Sequence, residues 1–393
     1  MPYSAPGKAL IAGGYLVLFP EYRAYCVALS SRMHSVAVKS DERVLTFHSP
    51  QFSTSTWSYD LDDVQPQKNP FLNAVVQVCG AYFGELCGGS IYIFSDAGFH
   101  SQHESTPMPD YPRFRTHRKS IGSVPKTGLG SSAALCVVAT ASIVEMMGRA
   151  NDPHFTRIVH NIAQIAHCVA QGKVGSGFDV AVAVYGSVQY SRFTPTMIPK
   201  TITPESVRPV VDMKWDEWLE RCALPPSVSV LMGDVRGGSE TPAMVQKVLA
   251  WRDAKPEEAE PIWASLDGAN NALVAALIRE SEPHAIRICF DHIRAQLQAM
   301  TKLTGVPIEP ESQTKLLDAA KSIDGVINGV VPGAGGSDAI FLLVESDKFD
   351  TAKQALSIDP RFAKVKWLSL HQEAVGLRRE EASYPGVRAH SHS

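Results

Sequence analysis

The chain has 393 residues, enough for two lobes with their own cores and too many for one compact core. Hydrophobic content of 45% with 20% charged residues is that of a globular chain, and a net charge of −3 leaves no cation excess to hold nucleic acid or an anionic membrane. Seven scattered cysteines, never spaced as CxxC, point to reduced thiols in the cytoplasm over a disulfide framework or a zinc site.

No secretory signal precedes the first strand pattern, and no apolar run approaches roughly 18 residues, so the cytoplasm is the expected location. Residues 10–19 and 26–39 are apolar, β-branched runs broken by Gly13-Gly14 and by the Pro20-Glu21 turn; both predict strands. Lys8, in Pro6-Gly7-Lys8 at the mouth of the first strand, either reaches a phosphate or is solvated at an edge. A helix is expected over 70–82 and a strand over 90–94. From 95 to 124 periodicity disappears among His100, His117, Pro107, Pro109 and Pro112, which predicts a long functional or mobile loop.

Pro125-Lys126-Thr127-Gly128-Leu129-Gly130-Ser131-Ser132 then leads into a helix over 133–147, with Val137, Val138, Ala141 and Val144 on one face. A glycine turn opening a helix offers unpaired N–H groups and the positive dipole end, which suit a phosphate. The serine hydroxyls can add hydrogen bonds or a ligand to Mg²⁺. A plain helix entry with serine caps reads the same way. The next helix has Asp152 as cap, Pro153 at its first position, Ile158, Ile162, Ile165 and Val169 as its stripe, and Gly172 as its end. Gly172-Lys173 is followed by Val174, so no Walker motif is present. Asp179, after Gly175-Ser176-Gly177, is either a turn residue or a group orienting an acceptor or a cation.

A strand is expected near 186–193. Prolines 195, 199, 204 and 209 then mark a division into 1–205 and 206–393. The second part predicts a strand over 228–234 and a helix over 242–252 capped by Thr241. Helices over 259–280 and through Ile286, Phe290, Ile293, Leu297 and Met300 follow, then strands over 326–331 and 339–344 around Gly333-Ala334-Gly335-Gly336-Ser337. The tail from Tyr384 is expected to be disordered.

The order Pro-Gly-Lys, Gly-Leu-Gly-Ser-Ser, Gly-Ser-Gly with Asp179, and the late glycine loop resembles the GHMP kinases over residues 4–344. Four stretches are similar to the fungal type of phosphomevalonate kinase: 4–18, 124–127 ahead of the glycines, 170–180, and 233–245. Mevalonate kinases carry a Gly-Glu-His element where Gly13-Gly14-Tyr15 stands here. The resemblance implies an α+β, two-lobed fold, with a ribosomal-protein-type N-terminal domain, a ferredoxin-like C-terminal domain and the active site in the cleft between them. It implies ATP and Mg²⁺ as cofactors, and phosphorylation of 5-phosphomevalonate to 5-diphosphomevalonate on the route to isoprenoids and sterols.

By matching position, Lys8 and Asp179 would be catalytic, and Lys126, Thr127, Gly128, Leu129, Gly130, Ser131 and Ser132 would cradle the ATP phosphates, with Ser132 on the metal. Tyr15, Ser176, Ser239, Thr241, Gly335 and Gly336 would meet the acceptor. Where mevalonate kinases place a metal-binding glutamate, Cys168 stands here, and water would fill that place. Two anionic substrates call for further cations, for which Lys126, Arg236 and the cluster His117-Arg118-Lys119 are candidates. The expected partners are small molecules, in a monomer or homodimer. The alternatives are another GHMP kinase acting on a hydroxyl, such as mevalonate kinase, and a catalytically silent metabolite sensor; retention of Lys8 and Asp179 counts against the sensor.

Overall fold

The computed structural model describes residues 2–102, 105–235, 241–280 and 282–387. β1 (Pro2–Ala12) and β2 (Ala24–Lys39) form a long antiparallel pair. The strand pattern over 10–19 stops at Ala12, because Gly13 turns at φ 103° and Leu16–Leu18 forms a single 3-10 turn that buries Leu16 and Val17. β3 (Val44–His48), β4 (Thr56–Asp60) and, after α1 (Pro70–Phe83), β5 (Gly89–Ser95) extend the sheet, with β3 parallel to β5. Asn69 caps α1, its side-chain oxygen accepting from the N–H groups of Phe71 and Leu72.

Residues 95–124 are not the long loop that their composition predicts. They fold as a hairpin, β6 (Ser105–Met108) and β7 (Tyr111–His117), between short 3-10 turns. Two anchors hold it. Buried Gln51 donates to the carbonyls of Ser95 and Arg115, and Phe114 stacks on Phe94 and meets His34 edge-on.

α2 (Ser131–Met146) is buried on nearly every side, between β1 and β2 above and α1, α3 (Phe155–Gln171) and α4 (Phe178–Tyr185) around it. Its interior hydroxyl at Ser142 is satisfied by donating to Ser35 Oγ (2.8 Å). α3 starts at Phe155, later than its sequence signals predict. Asp152 is occupied in closing the turn before it, accepting from the His154 N–H (2.7 Å) and pairing with Arg149. β8 (Val188–Ser191) pairs with β2, α5 (Pro204–Asp212) packs on α1 and α3, and β9 (Trp218–Arg221) pairs with β8. Elements beyond 205 therefore continue the first lobe.

The second lobe comprises β10 (Val228–Val235), α6 (Thr241–Ala254), α7 (Pro256–Ile278), α8 (Pro283–Thr304), α9 (Glu311–Lys321), β11 (Val326–Val330), β12 (Ala339–Glu345), α10 (Phe349–Ile358) and β13 (Val365–Leu368). Its sheet runs β11-β12-β10-β13, antiparallel throughout, with α8 and α9 against β11. The core is continuous between lobes: buried Trp263 of α7 meets Tyr15 and Phe19 edge-on. The architecture is α+β. No helix among the described residues is long and apolar enough to cross a membrane.

The tail returns to the first sheet through β14 (Gln372–Glu373) on β2 and β15 (Arg378–Arg379) on β1. Tyr384, expected in a disordered tail, is buried with its hydroxyl 3.1 Å from His34 Nδ1. Arg32, 1% exposed, clasps this return by pairing with Glu373 and Glu380 and donating from Nε to Ser4 Oγ (2.7 Å). Its removal takes the buried cation from Glu373 and Glu380 and leaves them the more exposed Arg378 as their remaining partner. Arg32→Leu is expected to cost about 3 kcal/mol of stability in urea unfolding, and a loss below about 1 kcal/mol would show that the tail is held otherwise.

Candidate active site

The glycine–serine loop meets β1 at Lys8. The Lys8 N–H donates to the Leu129 carbonyl (3.0 Å) and its Nζ to the Gly128 carbonyl (2.9 Å), so strand and loop are joined by main chain and side chain alike. Gly130 caps α2 in the left-handed region (φ 78°), and a Cβ there would lie 3.1 Å from Lys8 Cγ and 3.2 Å from Cε. Only glycine gives both the turn and the passage for the lysine stem. Burial lowers the Lys8 pKa, and the charges of Asp179 and Asp338 oppose that shift in part.

Asp179 sits in the first turn of α4, after left-handed Gly177, and its Oδ1 accepts from the Val180 N–H (3.0 Å). Its Oδ2 is 3.8 Å from His167 Nε2. That same nitrogen lies 3.1 Å from Ser132 Oγ and 3.2 Å from Gln171 Nε2, and the ring stacks on Phe71 at 5.5 Å. His167, 3% exposed, thus lies between the Ser132 hydroxyl, within hydrogen-bond distance, and the Asp179 carboxylate, a place that the sequence reading missed. Cys168 beside it belongs to the core, takes a bond from Gln164 Nε2 (3.3 Å) and has its thiol pKa raised by burial.

A cleft of about 650 Å³ opens over these groups. Lys8, Tyr15, Gly128, Gly130, His167, Ser176, Asp179, Lys173 and Arg192 line it from the first lobe, and Val245, Gln246, Leu249, Gly333 and Ala334 from the second. Among the described residues that line the cleft, three cations stand against one carboxylate, with Asp338 near enough to act on Lys8, on a chain whose net charge is negative.

The other expected residues fall as follows. Tyr15, itself at φ 63°, donates its hydroxyl to the Ala334 carbonyl (2.7 Å) and so ties the two lobes at the cleft floor. The Ser176 carbonyl accepts from the Tyr190 hydroxyl (2.9 Å). Thr127 is buried with its hydroxyl on the Gly98 carbonyl, Leu129 is buried in the core and Ser131 is buried at the head of α2, so these three shape the loop from behind. Lys126 is exposed, its Nζ 6.0 Å from the Phe71 ring. Gly335 and Gly336 turn against Ile308, whose backbone a Gly335 Cβ would meet at 2.3 Å; the cleft takes Gly333 and Ala334 from this loop. His117 stacks on Phe52, and Lys119 accepts through its carbonyl from the Ser53 N–H, so this basic cluster is joined to the hairpin's own support. Arg236, Ser239 and the side chain of Thr241 lie outside the described residues.

For a metal, the Ser132 hydroxyl and the Asp179 carboxylate are two oxygen donors on either side of His167. No group of three or more His, Cys, Asp or Glu placed to hold a metal ion occurs among the described residues. That set fits a hard cation which keeps waters and takes its other ligands from phosphate oxygens.

Residues 109–187 match the family described as GHMP kinases N terminal domain. The chain is 41% identical to a phosphomevalonate kinase of Candida albicans, over 96% of this chain and 98% of that protein. It is 36% identical to one of Gibberella zeae, over 96% of each. Among solved structures it resembles Streptococcus pneumoniae phosphomevalonate kinase in complex with phosphomevalonate and AMPPNP, with a TM-score of 0.72 over 95% of this chain and 100% of that one. At 17% identity, that last likeness is one of fold.

Proposed function

The chain belongs to the phosphomevalonate kinases of the GHMP kinase superfamily, and we propose that its cleft transfers the γ-phosphoryl group of ATP to (R)-5-phosphomevalonate, giving (R)-5-diphosphomevalonate and ADP. The observation that carries the reading is the convergence of the N-terminus of α2, Lys8 and Asp179 on one positive cleft. Phosphoryl transfer makes little covalent demand on a protein; it needs alignment and neutralised charge. The unpaired N–H groups at the start of α2 receive the ATP phosphates, and the Lys8 ammonium, steadied by the Gly128 carbonyl, faces the charge on the moving group. Ser132 and Asp179 would hold Mg²⁺, which would neutralise phosphate charge when bound. His167, within hydrogen-bond distance of Ser132 and close to Asp179, positions the hydroxyl beside the carboxylate.

The acceptor nucleophile is a phosphate oxygen. A phosphate monoester has its second pKa near 6, so at neutral pH it is already mostly dianionic and requires no strong general base. Asp179 therefore positions rather than deprotonates. Asp179→Asn is expected to lower kcat by about 10²-fold while the acid limb of the kcat/KM profile stays at about pH 6, where the free acceptor itself ionises. Disappearance of that limb in the variant would make Asp179 the base. The activity is tested by ADP release with phosphomevalonate, with mevalonate and with neither. Turnover on mevalonate alone would replace this reading by a hydroxyl kinase, and nucleotide binding without turnover would replace it by a sensor.

A further inference from the structure

Two cations in the cleft, Lys173 and Arg192, are left unused by the transfer chemistry, and only Arg192 is fixed in place by hydrogen bonds. Arg192 follows β8 and reaches the cleft beside the turn formed by residues 173–176. Its Nη2 donates to the carbonyls of Val174 (2.8 Å) and Gly175 (2.7 Å), and its Nη1 to that of Leu18. Nε is buried without a partner, and among the described residues no carboxylate pairs with this guanidinium. Burial disfavours its charge, with only Tyr190 and Cys168 acting the other way. A guanidinium stays protonated in a protein, so taking it from water without an acid is a cost that a bound anion offsets. Neutral donors would serve to tie a loop. A fixed positive charge braced by carbonyls from two segments is a preorganised receptor for an anion.

The acceptor named above has two anionic ends. Its phosphate must lie by Lys8 and Asp179 to attack in line, so its carboxylate points elsewhere in the same cleft. Lys173 is exposed and solvated there, whereas Arg192 is fixed and partly desolvated. Resting on the acceptor reading, we propose that Arg192 binds the carboxylate of phosphomevalonate and makes the enzyme selective for an acceptor bearing that acid.

The test is initial-rate kinetics with phosphomevalonate and with its methyl ester, in which the carboxylate charge is removed, for the wild type, Arg192→Gln and Arg192→Lys. Arg192→Gln is expected to raise the KM for the acid by about 10²-fold, leave that for the ester unchanged, and keep the KM for ATP within about twofold. Arg192→Lys should recover part of the loss on the acid, because the charge survives without the planar fork. Fluorescent-nucleotide titration checks that the cleft remains folded. An Arg192→Gln enzyme equal to wild type on the acid overturns the assignment. So does one that weakens acid and ester alike, the mark of a loop tie. A wild type that turns over neither overturns the acceptor reading, and this assignment with it.

Discussion

Replacing Lys8 with methionine is expected to lower kcat by about 10³-fold while leaving fold and nucleotide binding largely in place. Methionine keeps an unbranched stem of similar reach, so the packing over Gly130 survives and only the ammonium at Gly128 is removed. That ammonium is the protein's one cation hydrogen-bonded to the glycine–serine loop among the described residues, and it acts where charge develops in transfer. Burial gives the prediction a second, independent part. The Lys8 pKa is lowered by desolvation, despite the opposing charges of Asp179 and Asp338. Transfer needs the protonated amine, so activity is lost as pH rises through this lowered pKa. The alkaline limb of kcat/KM, which reports the free enzyme, should fall below the usual lysine range. Bound nucleotide phosphates favour the cation, so the limb of kcat should lie at higher pH than that of kcat/KM. The methionine variant should lose both shifts along with the rate. A variant within about tenfold of wild type would remove Lys8 from the chemistry.

Much of this cleft is written in local sequence, and the part that is not has a physical reason. The glycine–serine turn, the strand lysine and the Gly-Ser-Gly-Phe-Asp turn declare themselves because each is a contiguous string whose backbone needs glycine at a set place. His167 gives no such signal. It lies on α3, and only the stacking of Phe71 and the approach of Ser132 and Asp179 from two other helices give it a partner set. Arg192 is hidden for the same reason: its carbonyl partners at Leu18, Val174 and Gly175 lie far away in sequence. The segment 95–124 looks like a loop because its strands are short, carry prolines and bury few residues. Gln51, remote in sequence, supplies the hydrogen bonds that make it a hairpin. The returning tail is illegible likewise, since Tyr384 and Glu380 acquire meaning only beside His34 and Arg32. Local strings identified the chemistry; contacts across the fold supply its positioning groups.

Gly130→Ala should be nearly as damaging as loss of the lysine itself, with activity down by about 10³-fold, though no charged group is touched. Two effects combine at this position. The residue holds φ 78° as the cap of α2, where an L side chain costs about 1–2 kcal/mol. The added methyl would also lie 3.1–3.2 Å from the Lys8 stem, with β1 and the core fixing the backbone on either side. The easier response is for the lysine to swing, which carries Nζ off the Gly128 carbonyl and out of line with the transferred group. Gly148 supplies the control. It has nearly the same φ, 76°, after the far end of α2, and a Cβ there would meet nothing within 4 Å. Gly148→Ala should therefore lose a similar stability in urea unfolding and keep wild-type kcat. If the two variants lose activity in proportion to their stability, backbone strain alone is at work. If Gly130→Ala alone loses kcat, and its alkaline limb moves back toward the ordinary lysine range as Lys8 reaches solvent, the glycine at the head of α2 is what holds the lysine on target.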